Sequence, residues 1–478
     1  MKKPFVKGGK ALTLAAALLC GAAFLGSFTA FGAAAQAESQ AGAQAEAQVF
    51  TPGVAGQITS CKISGDKQNV EIGFSSSGDV TGTDGNIYVF EMQPYEEELG
   101  SRSNFIASSP ALSAASVSVP LNLGTPQDKL YSRFVLAVFD GTKFFKVSQP
   151  HYITNPELIA KNQTPFNDPL TKKGLVIEID MLSDAFDLGV KHVTTNIAFS
   201  QIMGTGIDYQ YDGKTYHFNK GVVDAYDKTI SALSNKGMTV TVILLNDWNP
   251  NTPDLVYPGT QKNSNAFYYM FNAETEAGFD QTKAIASFLA QHYSGDNPNY
   301  GKVSNWIIGN EINNQQWNYM GPMDLTNYVK AYQKAFRVIY TAIKSTNAND
   351  RVYFSLDYNW MNEIDGKLKY GGKQIVDSFN SIANTEGQME WGLAYHPYPC
   401  PMTEPEFWDD DQTGMVNETF ESPVVNFKNL HVLTDYFQQA HMRTAGGQVR
   451  HIILSEEGFT SDSISRGKVY DIQAAAFA

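Results

Sequence analysis

The stretch 306–313, Trp-Ile-Ile-Gly-Asn-Glu-Ile-Asn, decides how this chain is read. Three large apolar residues run straight into Gly-Asn-Glu. A continuous apolar run of this length fits a strand buried on both faces. Similar runs stand on either side of it: 174–180 (GLVIEID), 192–200 (HVTTNIAFS), 239–247 (TVTVILLND), 351–360 (RVYFSLDYNW), 391–399 (WGLAYHPYP) and 451–459 (HIILSEEGF). Between them lie amphipathic helical stretches such as 279–293, 325–345 and 429–442, and 209–219 (YQYDGKTYHFN) reads as an inserted hairpin. Buried strands alternating with helices imply a parallel sheet with helical crossovers. Seven such strands precede 470–478 (YDIQAAAFA), which reads as the opening of a helix. An open doubly wound sheet can end at seven strands, whereas a (β/α)8 TIM barrel needs eight. The residues that end the strands favour the barrel, with its eighth βα unit missing from this chain.

The grammar before residue 174 is different. Residues 58–155 contain short alternating runs such as 69–75 (NVEIGFS), 85–92 (GNIYVFEM) and 132–140 (SRFVLAVFD), separated by turn residues. Strands at this spacing, without helical periodicity, predict a small all-β sandwich. Residues 156–173 read as a linker into the barrel at 174–478, and 38–57 as a flexible Ala/Gln/Glu-rich leader. Residues 1–37 have the form of a signal peptide, with Lys2, Lys3, Lys7 and Lys10 ahead of an apolar run and small-residue cleavage sites at 33–37. A retained anchor is the alternative. Leu18-Leu19 ahead of Cys20 does not suit lipidation, and no later stretch is apolar enough to span a bilayer.

A secreted or cell-surface location is therefore expected. The hydrophobic fraction of 43% and aromatic fraction of 12% suit a globular core. The formal charge is −14, and loss of four signal lysines would take it to −18. So acidic a chain is a poor partner for nucleic acid. Past the signal only Cys61 and Cys400 remain, which excludes a disulfide framework and a cysteine-rich metal site.

Barrel active sites lie at the C-terminal strand ends. Here those ends carry Asn196, Asn246-Asp247-Trp248, Asn310-Glu311, Asp357 with Trp360, His396-Pro397-Tyr398 and Ser455-Glu456-Glu457. Two carboxylates facing each other on the fourth and seventh strands suit glycosidic cleavage. One protonates the leaving oxygen, and the other attacks or activates water. The other readings of the pair are a helix cap for Glu311 and a solvated loop charge for Glu456.

"IIGNE" (307–311), followed by "ILSEEGF" (453–459) with the second glutamate 145 positions after the first, resembles clan A of the glycoside hydrolases. "DLGVKHVTTNIAFSQI" (187–202) and "AYHPYP" (394–399) resemble an uncharacterised family of secreted bacterial barrel proteins related to that clan. The resemblance covers 174 onward. It implies that Glu311 is the acid/base, preceded by Asn310, and that Glu456 is the nucleophile of a retaining reaction. Glu457 stands where the clan usually has an aromatic residue, and Asn196 stands near the place of a clan arginine. Because strand side chains alternate, one of Glu456 and Glu457 faces the axis, and the clan pattern gives that place to Glu456.

Asn310 could bind a sugar 2-hydroxyl, and His396 or Tyr398 could hold the nucleophile ionised. Packing roles compete with these. Trp248, Trp317, Trp360 and Trp408 follow strands three to six and suit either sugar stacking or loop packing. The acidic stretch 406–414 (EFWDDDQTG) lacks EF-hand spacing and reads as a solvated charge run rather than a calcium site. The expectation is a glycosidase acting on a polysaccharide or oligosaccharide without metal or cofactor. A carbohydrate-binding or cell-surface barrel without activity is the alternative, and the oligomeric state is left open.

Overall fold

The computed structural model describes residues 56–76 and 82–461. The signal peptide, most of the leader and the helix expected at 470–478 lie outside the described residues.

Seven parallel strands form one sheet: β1 (Gly174–Val176), β2 (His192–Ala198), β3 (Thr239–Leu245), β4 (Asn305–Ile308), β5 (Arg351–Asp357), β6 (Trp391–His396) and β7 (Ile452–Leu454). Their spatial order is their order in the chain, without reversal. A doubly wound sheet reverses at a switch point, so the strands follow barrel order. Helices fill the crossovers: α1 (Leu182–Asp187), α2 (Lys220–Ser234), α3 (Glu276–His292), α4 (Leu325–Lys344), α5 (Gly372–Glu386) and α6 (Leu430–Gln438). Local chemistry starts several of them. The side chains of Asn219, Thr275 and Asp324 accept backbone N–H bonds at the heads of α2, α3 and α4.

Alternation splits each strand between two cores. Val240, Val242 and Leu244 of β3 join Trp306 and Ile308 of β4 and Phe354 of β5 under the helices. Ile243 and Leu245 meet Ile307, Tyr353 and Ala394 on the other face, with Ile453 packed beside them. Apolar side chains of five successive strands thus meet on the inner face, as the sheet curls about an axis. All seven residues of β3 are buried, which is why it reads as an unbroken apolar run.

The first strand is shorter than expected. Only 174–176 pair, and 179–181 turn into a 3-10 helix. The hairpin starts earlier than read, pairing Gly206–Tyr211 with Lys214–Asn219. Its turn residues Asp212 and Gly213 both have positive φ, as a two-residue turn of this twist requires.

Ahead of the parallel sheet, two antiparallel sheets enclose one core. Gly56–Ile63, Asn69–Ser76 and Ala115–Pro120 form the first. Ala107–Pro110, Asn86–Met92, Arg133–Phe139 and Phe144–Lys146 form the second, with His151–Tyr152 also paired to Arg133–Phe139. Ile58, Cys61, Ile72 and Phe74 of one pack against Val89, Phe134 and Leu136 of the other. The segment expected as a linker is anchored to the stretch after α4. Asn162 accepts the N–H of Ala348 and donates its own to Thr346.

Candidate active site

β4 ends where its backbone turns. Gly309 and Glu311 both have positive φ, at 75° and 40°. Glycine adopts this region freely, whereas a glutamate must be held there. Ser355 on β5 does the holding: the Glu311 N–H donates to its Oγ at 2.7 Å, and that hydroxyl reaches the Gly309 carbonyl at 3.4 Å. The Ile312 N–H also donates to the Ser355 carbonyl. The turn leaves the Glu311 side chain buried at the C-terminal edge of the sheet.

His396, at the end of β6, is wholly buried and joins the two carboxylates. Its Nδ1 lies 2.8 Å from Glu311 Oε1 and 3.7 Å from Glu456 Oε2. Its Nε2 lies 3.1 Å from Ser455 Oγ. The two carboxylate oxygens can be no farther apart than 2.8 and 3.7 Å laid end to end. In a flat sheet, three strand steps would separate β4 from β7 by about 14 Å, so it is the curl of the sheet that brings their ends together. Tyr398 donates its hydroxyl to Glu456 Oε1 at 2.9 Å.

The two carboxylates differ in setting. Burial raises Glu311 to about 7, against the lowering effect of the His396 hydrogen bond and charge. Glu456 is more open, with 38% of its side chain exposed. Burial alone would lower His396, but the bond to Glu311 and the charges of Glu456 and Glu311 leave it raised. Burial and the Glu456 charge raise the Tyr398 phenol, so it stays a donor.

Strand alternation does not aim Glu456. β7 pairs only over 452–454, with Ile453 on the axial core and Ser455 turned to His396. Continued alternation would send Glu456 outward. It reaches the site because pairing stops at Leu454, two residues earlier, and no longer fixes the direction of its side chain. Glu457 is exposed.

The other expected residues divide. Asn310 is buried beside Glu311, and its Oδ1 has no hydrogen-bond partner. Asn246 is buried too; its amide donates to the Leu255 carbonyl at 2.8 Å, while its Oδ1 has no partner. Asn196 is exposed on β2. Trp248 is half-buried, 5.4 Å from the Tyr269 ring.

Two residues expected to meet substrate face inward instead. Asp357 Oδ1 accepts from Asn313 Nδ2 at 2.5 Å and from the Asn359 N–H at 2.8 Å, while Oδ2 accepts from Asn359 Nδ2 at 3.1 Å. It organises the loop after β5. Trp360 has no exposed surface and donates its indole N–H to the Phe420 carbonyl at 2.9 Å; it is core. The acidic stretch 406–414 is also not simply solvated. Phe407–Thr413 form a 3-10 helix, and buried Asp410 accepts from the Cys400 N–H and from Asn426. Among the described residues, no group of three or more His, Cys, Asp or Glu side chains is placed to hold a metal ion. Ser355 is a site residue that no motif marked, whereas Ser455 belongs to the motif that carries Glu456. A hollow of about 950 Å³ lies elsewhere, beside Asn155, Glu157, Lys344 and Glu390, away from the carboxylates.

Fold and site together define a barrel-order α/β chain with a carboxylate pair at the C-terminal edge of its sheet. Residues 165–478 match the model of a family of unknown function, DUF5722, and the chain belongs to that family. No curated protein matches it. Among solved structures it is similar to a family 39 glycoside hydrolase from Bacteroides cellulosilyticus WH2, with TM-score 0.38 and 14% identity over 86% of this chain and 66% of that one. A β-glucuronidase from Bacteroides uniformis gives TM-score 0.33 and 8% identity, covering 89% of this chain and 43% of that one. A β-glucosidase from Thermotoga maritima, in complex with glucoimidazole, gives TM-score 0.29 and 16% identity, covering 45% and 52%. This chain thus spans less than two thirds of each of these proteins. Likeness this slight carries no argument about function.

Proposed function

We propose that this protein is an exported glycoside hydrolase of the clan A type, acting on a carbohydrate by double displacement with retention. One observation carries the reading: carboxylates from β4 and β7 converge on the same nitrogen of His396. Retaining pairs stand about 5–5.5 Å apart, and inverting pairs about 6.5–9.5 Å. The ceiling set by the two distances to His396 Nδ1 favours the closer class.

Glu311 is the acid/base. Burial favours its protonated form near neutrality, which a general acid needs. Its proton passes to the leaving oxygen as Glu456 attacks the anomeric carbon and a glycosyl ester forms. Glu311, now ionised, takes a proton from water, which attacks the same carbon and frees Glu456. Tyr398 holds Glu456 in line, and Asn310, buried beside Glu311, lines the floor of the site. Asn246, Trp248 and the exposed Asn196 contribute to the walls. The lysine-flanked apolar run before residue 37 directs export, and the sandwich at 58–155 is an accessory domain.

The test uses two variants. Glu311→Gln should lose most of its activity on substrates with poor leaving groups and keep much more on activated aryl glycosides, since an acid matters less when the leaving group departs unaided. Glu456→Ala should be inactive and partly restored by azide or formate, which occupy the vacated space. Equal losses of Glu311→Gln on both substrates, or a Glu456→Ala variant active without added anion, would reject the assignment. A protein that binds glycans yet turns none over would be the inactive binding barrel.

A further inference from the structure

An aromatic row leads outward from Tyr268. Tyr268 sits on the axial cluster of Ile243, Leu245 and Ile307. Burial, Asp247 and Glu456 together hold its phenol above the usual range, so Tyr268 lies within the field of Glu456. The Trp317 ring is 6.3 Å from that of Tyr268. Phe267 then stacks on Trp317, with centroids 4.6 Å apart and planes 19° from parallel. Phe267 is 46% exposed and Trp317 is partly exposed.

The row is built, not incidental. The loops after β3 and β4 are laced by backbone bonds: Phe267 N–H to the Gln316 carbonyl at 2.8 Å, Tyr319 N–H to Tyr268 at 2.9 Å and Met270 N–H to Tyr319 at 2.9 Å. Tyr269 N–H ties the lace to Asn246 on the barrel at 2.8 Å. Apolar rings left facing water on so fixed a frame forgo about 25 cal/mol for each Å² uncovered. The rim chemistry narrows the occupant. Segments 263–268 (NSNAFY) and 313–319 (NNQQWNY) contain no charged residue, and Asn265 and Gln316 present exposed amides. Flat rings edged by neutral amides match a neutral sugar, which has an apolar C–H face and a rim of hydroxyls. Exposed Lys262 directly precedes the first segment, but the rings and amides themselves offer no positive charge to a uronate, a phosphate or a lipid headgroup.

We infer that Phe267 and Trp317 form a stacking platform for a neutral glycan chain, which runs from the catalytic carboxylates past Tyr268 and out of the cleft. This rests on the hydrolase reading for its substrate and adds to it that the substrate is an extended, uncharged glycan engaged by several sugars.

The test uses the full chain with Phe267→Ala, Trp317→Ala and Trp317→Phe, each checked for an unchanged thermal melt. Two measurements are made. The first is kcat/KM on para-nitrophenyl glycosides and on two- to six-residue oligosaccharides of whichever neutral sugar is cleaved. The second is retardation in native gels containing hydroxyethylcellulose, galactomannan or polygalacturonate. Each alanine variant should lose about tenfold more kcat/KM on the hexasaccharide than on the aryl glycoside, the scale of one stacked ring. Retardation by a neutral polysaccharide should weaken in both, and Trp317→Phe should keep most of each property. Losses independent of chain length, retardation indifferent to both rings, or retardation by polygalacturonate alone would overturn the platform. The two readings fail separately: ring-dependent retardation without any turnover rejects the hydrolase and keeps the platform, and length-independent losses in an active enzyme reject the platform alone. A chain neither retarded by nor active on these glycans rejects both.

Discussion

Glu311 holds a left-handed backbone at φ 40°, a conformation that costs an ordinary side chain about 1–2 kcal/mol. Its compensation is local. Ser355 receives the Glu311 N–H at 2.7 Å inside the protein, and an N–H deprived of such a partner costs about 1–3 kcal/mol. Ser355→Ala should therefore lower thermal stability and displace the carboxylate it positions. An error near 1 Å at a reacting group costs about 100-fold, so kcat should fall by about 10- to 100-fold while KM changes little. The alkaline limb of the pH profile should also move, because a displaced Glu311 loses its bond to His396; a loss of stability with kcat and pH profile intact would make Ser355 merely structural. The unmodified limb is set by burial. Glu311 sits at about 7, and in the proposed mechanism it acts in its protonated form, so kcat/KM should decline as pH rises through about 7. His396 lowers Glu311 by hydrogen bond and charge. Removing its charge in His396→Asn should carry the declining limb to higher pH, and a limb that stayed or moved down would refute the coupling.

At the scale of elements, legibility followed burial. β3 to β6 were readable because strands covered on both faces must be apolar throughout, and their polar ends then stand out against the run. That contrast marked Glu311, His396, Tyr398 and Glu456, whose side chains meet in the structure. It could not separate polar ends that face the cleft from polar ends that lace a loop, which is how Asp357 came to be read as a substrate contact. Nor could it weigh Trp360, an indole after a strand that suits a groove or a core equally until the chain from 415 to 425 packs over it. Ser355 was invisible for a third reason. A small hydroxyl residue inside an apolar strand carries no pattern, and its role exists only beside the bend of the neighbouring strand. The aim of Glu456 likewise depends on where β7 stops pairing, and strand ends are the least legible part of any periodic signal. Tyr268, Trp317 and Phe267 belong to two loops whose meeting no single segment announces.

At the scale of the molecule, the antiparallel sheets are fastened to the α/β part through α4, the helix that comes after the candidate acid. Glu97, between sandwich strands, accepts from Lys334 at 2.8 Å and lies 3.2 Å from Lys330, while Arg133 approaches it at 3.4 Å. Lys334 is almost wholly buried and also pairs with Glu274 at 2.5 Å. Around this cluster Tyr95 and Tyr131 lean on Phe279 of α3, and the Arg337 guanidinium lies 4.6 Å over the Tyr152 ring. Burial would raise Glu97, but the Lys334 bond and charge, with Arg133 and Lys330, outweigh it and hold the carboxyl down at about 2. A carboxyl lowered in the folded state stabilises above its unfolded value of about 4.3. That contribution is lost as pH falls from there through about 2. Glu97 is 47% exposed, so solvent screening limits its worth to about 1 kcal/mol or less. Glu97→Gln should therefore melt slightly earlier than the unmodified protein at pH 7, and the difference should shrink as pH falls from 5 towards 2. The gap should also narrow in high salt, since exposed charges are screened. A difference that stayed constant with pH would mean that Glu97 acts through packing and not through its charge, and the fastening would then belong to the aromatic contacts around Phe279 and Tyr152.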